Sequence, residues 1–124
     1  MDILQVDQIS FSYNGLTVLS DVRFGVEKGD FLGLIGPNGS GKTTLLKLID
    51  GLLQPDRGSI RLNGTPIRKM KRNDLAKIIA VVPQAAPSIF PFTVREVVLM
   101  GRTPHLGRWR FEGAADLAAM EGAM

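Results

Sequence analysis

Residues 36–43 read Gly36-Pro37-Asn38-Gly39-Ser40-Gly41-Lys42-Thr43 and fit the pattern G-x-x-x-x-G-K-[ST] at every required position. Glycines at these places let the backbone curl until successive N–H groups point inward at one anion. A helix that follows such a loop turns its positive end to the same anion. Lys42 adds a full charge on a flexible stem, suited to terminal phosphates. The Thr43 hydroxyl can complete an Mg²⁺ shell otherwise made of phosphate oxygens and waters. The candidate nucleotide-binding residues are therefore Gly36, Asn38, Gly39, Ser40, Gly41, Lys42, Thr43 and Thr44. The competing reading is a plain glycine-rich turn between strand and helix, which the full match and its context disfavour.

That context is legible on both sides. "FLGLI" (31–35) is apolar without alternation, as expected for a parallel strand covered on both faces. "TTLLKLIDGLL" (43–53) carries Leu45, Leu48, Ile49 and Leu52 at helical spacing. Leu46 and Leu53 lie off that stripe, so the helix is expected to be largely buried, with Gly51 weakening it and Pro55 ending it. Upstream, Ile9, Phe11 and Tyr13 alternate with serines, Asn14-Gly15 marks a tight turn, and Val22, Phe24 and Val26 form a second half-buried strand. "EKGD" (27–30) reads as another turn. Downstream, "GSIRLNGTPI" (58–67) reads as strand, Asn63-Gly64 turn and short return strand, and "RNDLAK" (72–77) as a short helix. "IIAVV" (78–82) is a second continuous apolar run, hence a second buried strand, ended by Pro83. Thr93 and Glu96 have capping-box spacing, which predicts a helix from about Val94 to Met100 with Gly101 as terminator. A last helical stretch, 114–124, runs into the C-terminus without a stop signal.

Composition bounds the alternatives. The 124 residues contain no cysteine and one histidine, His105, which excludes disulfides, thiolate chemistry and a Cys or His zinc cluster. The start, "MDILQVDQIS", lacks a basic segment followed by an apolar run, and no apolar run approaches the ~20 residues of a membrane span. A soluble intracellular chain is the expectation. The net charge of +3 fits a solvated surface as well as an anionic ligand. The run Arg68-Lys69-Met70-Lys71-Arg72 contains no interleaved aromatic, which favours a solvated loop over nucleic-acid binding. His105 has no paired carboxylate motif and reads as a surface or partner-contact residue. Trp109 and Phe111 fit either packing within the domain or a partner contact.

A phosphate loop alone does not choose among kinases, GTPases and transport ATPases; its flanks do. "GLIGPNGSGKTTLLKLIDGLLQPDRGSIRLNG" strongly resembles the nucleotide-binding subunits of ABC transporters, and the match runs through essentially the whole chain in order. The resemblance implies an α/β P-loop NTPase fold of ABC ATPase type with an antiparallel β subdomain. It implies one incomplete domain over 1–124, with β subdomain and phosphate-loop core in 1–91 and the start of a helical subdomain in 92–124. ATP and Mg²⁺ are the implied cofactors. Tyr13 sits where the family places an aromatic that stacks on adenine, although a half-buried strand aromatic is the plainer reading of that position. "VVPQ" matches the Q-loop, so Gln84 is the implied residue that approaches Mg²⁺ and the attacking water; an ordinary loop residue after a strand-ending proline is its alternative. "FTVREVVLMGRTPHLG" (92–107) looks like the region that meets a membrane-spanning permease, and its "GRTPHLG" ending is similar to importers of iron-siderophore, haem and vitamin B12. A family member of this kind is a homodimer at the cytoplasmic face of the membrane and does not bind nucleic acid.

Phosphoryl transfer needs more than a cradle: a carboxylate for Mg²⁺ and a residue that positions water. The family supplies these from an apolar strand ending in Asp-Glu, after an "LSGGQ" signature helix, with a later histidine. None of the chain's acidic residues follows a four-residue apolar run as part of an adjacent acidic pair. The expectation is a chain cut before the signature helix, which binds ATP without turning it over, with "FLGLI" left as an unpaired edge. The alternatives are a fragment with no independent role and a soluble relative acting in DNA repair or translation; the large insertions or tandem domains of the latter are not seen.

Overall fold

Two Asn-Gly pairs set the sheet. Asn14 and Gly15 take left-handed backbone, with φ of 48° and 82°, and join strand β1 (Asp2–Tyr13) to β2 (Leu16–Glu27) as an antiparallel hairpin. Only residues that tolerate positive φ make such a turn, whose twist matches that of the strands. Asn63 and Gly64 repeat the device, with φ of 48° and 77°, between β3 (Arg57–Leu62) and the short return strand β4 (Thr65–Pro66). β3 pairs with β1, so the sheet order is β2-β1-β3-β4 and every ladder is antiparallel. The expected turn at 27–30 is present: the Asp30 carboxylate accepts from the Glu27 amide at 2.8 Å.

β1 carries several register shifts, one of them a bulge between Val6 and Ile9. Val6 and Ile9 are both fully buried although three positions apart. Gln8 takes φ 48°, which inserts an extra residue and returns Ile9 and Phe11 to the inner face. The same shift appears against β3, where Gly58 at φ 83° lies so close that any side chain there would run into the Asp7 and Gln8 carbonyl oxygens.

The structure, a computed structural model, describes residues 1–84, 90–107 and 111–124. They form two compact units, Met1–Leu75 and Ala76–Met124. In the first, helix α1 (Lys42–Ile49) buries Leu45 and Leu48, while Val6, Ile9, Phe11, Leu19, Ile60 and Leu62 make the core contribution of the sheet. The helix is shorter than the expected 43–53. Gly51 turns left-handed at φ 74° and its amide donates to the Leu48 carbonyl, closing the helix. Leu46 and Leu52 are about half exposed, so the expectation of a largely buried helix holds for one face only. The short helix α2 (Arg72–Ala76) follows a single helical turn at Ile67–Lys69.

The two expected parallel strands are a correction. Among the described residues, neither 31–35 nor 78–82 joins a ladder. Phe31 and Ile35 are 100% and 99% exposed, and Val82 is 94% exposed. A strand exists only through neighbours that accept and donate its ladder bonds, and a continuous apolar run reports an appetite for burial without supplying the neighbour. The expected exposure of apolar surface at "FLGLI" is found, but over the whole segment and not along one edge.

In the second unit, α3 (Val94–Met100) starts at the expected capping box. The Glu96 amide donates to the Thr93 hydroxyl and the Thr93 amide to the Glu96 carboxylate at 2.7 Å. α3 packs against α4 (Ala114–Ala123), with Met120 buried. Arg95 faces Glu121 and Arg102 faces Asp116, so the helices run antiparallel. The Asp116 carboxylate also accepts from the Gly113 amide at 3.0 Å. Among the described residues no helix is long and apolar enough to cross a membrane.

Two predictions follow from these contacts. Gly58→Ala lowers stability by about 2–3 kcal/mol, from positive-φ strain and backbone collision, whereas Gly64→Ala, whose position opens into empty space, costs about 1 kcal/mol; urea midpoints followed by circular dichroism check the difference. Hydrogen bonds from Gly113 and Arg102 hold the Asp116 carboxyl below its ordinary pKa, and Thr93 does the same for Glu96. A depressed carboxylate stabilises above the unfolded pKa of about 4 and loses its contribution as pH falls through the folded value. The helical signal at 222 nm is therefore expected to hold from pH 7 to about 4.5 and to decline below about 4, with a shallower acid slope in Asp116→Asn.

Candidate functional site

The loop at 36–41 rests on the hairpin through one close approach. Gly41 has φ 92°, and a Cβ added there would meet the Leu19 side chain at 2.8 Å and the Val18 carbonyl oxygen at 3.2 Å. Only a residue without a side chain lets the loop backbone reach β2. Gly39, at φ 82°, faces open space and serves the curl alone. A Cβ on Gly36 would come within 2.7 Å of the Ser40 hydroxyl, so the two ends of the loop are nearly in contact.

Lys42 lies across this loop. Its ammonium donates to the Gly36 and Pro37 carbonyl oxygens, each at 2.7 Å, and to the Ser40 hydroxyl at 3.3 Å. The charge is thus held at the loop mouth and not extended into solvent. The Ser40 amide is bonded to the Pro37 carbonyl, and the first helical bond runs from the Leu45 amide to the Gly41 carbonyl. Among the described residues, the amides of Gly39, Gly41, Lys42, Thr43 and Thr44 have no hydrogen-bond partner. The first turn of α1 contains no acidic residue and Gly41 provides no side-chain cap. Clustered N–H donors, a helix N-terminus and an ammonium with no carboxylate present form a site for a polyanion.

The residues sort by position. The Thr43 side chain is exposed at the start of α1 and has no hydrogen bond among the described residues, whereas Thr44 is buried. Asn38 is exposed on the loop. Among the described residues there is no group of three His, Cys, Asp or Glu able to hold a metal. Thr43, whose hydroxyl is free, is the residue here that would hold an Mg²⁺, and the ion would supply a Lewis acid to bound phosphate.

Tyr13 ends β1, opposite Leu16 across the turn. Its ring stands edge-on to Phe11, with centroids 4.8 Å apart and planes at 88°, and it is 42% exposed. Phe11 pairs with Leu19, the side chain against which Gly41 sits. The hairpin end and the phosphate loop thus share one seat within the first unit. Gln84 belongs to the second unit, exposed in a bend after Pro83. His105 is exposed in a short helical turn, Thr103–His105. Phe111 is exposed, and Trp109 lies outside the described residues. Val18, Leu19 and the Pro37 carbonyl were not legible as site components, because their role comes from contacts distant in sequence.

A family model for ABC transporters matches residues 19–123. The hemin import ATP-binding protein HmuV of Rhizobium leguminosarum is 44% identical over 123 residues, covering 96% of this chain and 46% of that protein. The zinc uptake system ATP-binding protein ZurA of Listeria innocua is 42% identical over 124 residues, covering 98% of this chain and 48% of that protein. Among solved structures, a putative metal-chelate type ABC transporter in an inward-facing conformation superposes with a TM-score of 0.74 at 29% identity, covering 97% of this chain and 42% of that one. The chain spans less than half the length of each.

The shared seat makes a prediction with two arms. Tyr13→Ala weakens ATP binding about tenfold, the scale of one base stack, and leaves inorganic triphosphate binding unchanged. Gly41→Val weakens both ligands, because the loop itself is displaced. Titration calorimetry with the two ligands reads the difference.

Proposed function

The chain belongs to the ABC transporter family, and from that premise we propose that it carries the ATP-binding face of an importer subunit. In the whole protein, ATP hydrolysis would drive uptake of a metal chelate such as an iron-siderophore, haem or cobalamin. One observation carries the proposal: residues 41–44 have unpartnered amides where the Lys42 ammonium is held across the loop, and the loop is seated against the hairpin that bears Tyr13. In this reading the amides of Gly39 and Gly41, with those of α1, bind phosphate oxygens, and Gly36, Asn38 and Ser40 shape the loop. Binding exchanges the Lys42 contacts with Gly36 and Pro37 for contacts with terminal phosphates, a trade of neutral acceptors for charged ones. Thr43 would hold an Mg²⁺, which would supply a Lewis acid to the phosphates, and the resemblance gives Gln84 the role of orienting water, which its neutral amide can do without adding charge. Tyr13 covers one face of the adenine.

The chemical class of the cargo rests on the company the chain keeps: a hemin importer and a metal-chelate transporter are among its relatives. A zinc uptake protein of similar identity favours a second reading, in which the cargo is a metal ion. For the partner, the support is in α3. Val94, Val97 and Met100 stand exposed at spacings of three, while Val98 and Leu99 are half-buried. We assign this apolar side, within 92–107, to a membrane permease that holds the subunit at the cytoplasmic face.

We also propose that the 124-residue chain by itself binds ATP without turning it over, since its sequence offers no apolar strand ending in adjacent acids. Purified chain is expected to bind Mg·ATP at micromolar or weaker affinity, to lose at least about tenfold of it in Lys42→Ala, and to release no Lys42-dependent phosphate. Lys42-dependent turnover overturns the binding-only assignment; unchanged affinity in Lys42→Ala overturns the site itself.

A further inference from the structure

The basic run that the nucleotide site leaves unused borders a cavity. Within the first unit, a half-open cavity of about 200 Å³ lies between the end of α1, β3 and α2. Its floor is apolar, with Ile60, Ile67 and Leu75 all nearly buried. Arg68 and Arg72 line it, and both are exposed and without an ion pair among the described residues. Asp50 also lines the cavity; its carboxylate accepts from the Leu52 amide at 2.9 Å and retains further acceptor capacity. Lys69 and Lys71 carry charge of the same sign but do not line the cavity.

We propose that this cavity is a docking site for an acidic protein segment that inserts one apolar side chain between flanking carboxylates. Each wall matches one part of such a segment. The floor takes an aliphatic or aromatic anchor, for which the volume suffices: a cavity of ~150 Å³ holds a benzene ring. Arg68 and Arg72 take the carboxylates in forked, two-donor geometry. Asp50 accepts from a backbone N–H of the segment, and its negative charge disfavours a uniformly anionic ligand in the same cavity. The charge complementarity is therefore to a peptide and not to a uniformly anionic surface. The site lies at the opposite end of α1 from the phosphate loop, and the proposal stands whether or not the chain hydrolyses ATP.

The test uses a fluorescein-labelled peptide with one leucine between two pairs of aspartates, titrated into the full chain and followed by anisotropy. Saturable binding is expected. It weakens about tenfold in the double variant Arg68→Glu/Arg72→Glu, the scale of losing a charge-assisted contact, and by less than about threefold in Lys69→Glu/Lys71→Glu, the scale of surface charge alone. Replacing the peptide's leucine by glycine is expected to weaken binding to the unaltered chain by about tenfold, the value of one buried aliphatic side chain. No saturable binding at millimolar peptide overturns the proposal. So does an equal loss in both double variants, or indifference to the leucine, since either reduces the effect to general charge attraction. Arginine-dependent retention on phosphatidylserine-containing vesicles, without peptide binding, replaces the proposal with a membrane contact.

Discussion

The contact between Gly41 and β2 is the constraint on which the phosphate loop depends. A Cβ there would stand 2.8 Å from a Leu19 methyl and 3.2 Å from both a Val18 methyl and the Val18 carbonyl oxygen, closer than ordinary van der Waals contact, and φ 92° disfavours any side chain as well. The contact fixes the loop at its helical end, and Lys42 fixes the other by tying Gly36 and Pro37 to the start of α1. Between these two points the amides can point inward without bonding one another. Leu19 also pairs with Phe11, on which Tyr13 stands, so the same seat sets the position of the aromatic. The bulge at Gln8 lies further down the same strand; without its extra residue, Ile9, Phe11 and Tyr13 would turn to the opposite face.

The three longer helices treat their N-termini differently, and the difference separates structure from site. α3 satisfies its first amides internally through Thr93 and Glu96. α4 uses Asp116, which is at once bonded to Gly113 and paired with Arg102. Both therefore carry a carboxylate against the positive helix end, which repels an external anion. α1 has neither cap nor acid, and its free amides gain a lysine instead. The amides of Gly41, Lys42 and Thr43 at the start of α1 are left to water at half-exposed and exposed positions, a place that an anionic ligand can take.

What could be read in the sequence was what short-range chemistry determines. Asn14-Gly15, Asn63-Gly64, the Thr93–Glu96 pair and the loop pattern each act within a few residues, so residue types fixed the outcome. The end of α1 was partly legible: Gly51 was visible as a weak point, yet its left-handed turn ended the helix before Leu52 and Leu53 could extend it. The bulge left a trace as well, since Val6 and Ile9 break the two-residue alternation and Gly58 interrupts a strand. The seat of Gly41 left none, because it joins residues more than twenty positions apart.

The segments 31–35 and 78–82 show where such reading stops. Their composition is that of strands buried on both faces, and composition states only what a segment loses in water. Phe31, Ile35 and Val82, among the described residues, stand almost wholly in solvent. Burying one such side chain is worth about 1.5–3 kcal/mol, so their exposure is a standing drive toward any surface that offers ladder partners and an apolar face together. The antiparallel sheet cannot be that surface on the face where Arg23 and Asp7 pair in solvent. The phosphate loop, by contrast, needs none of this to form: its two anchor points, Gly41 on β2 and Lys42 on Gly36, lie within the first unit. The geometry of the phosphate loop is thus local to the hairpin and α1, whereas the apolar runs 31–35 and 78–82 owe their burial, where they find it, to other surfaces.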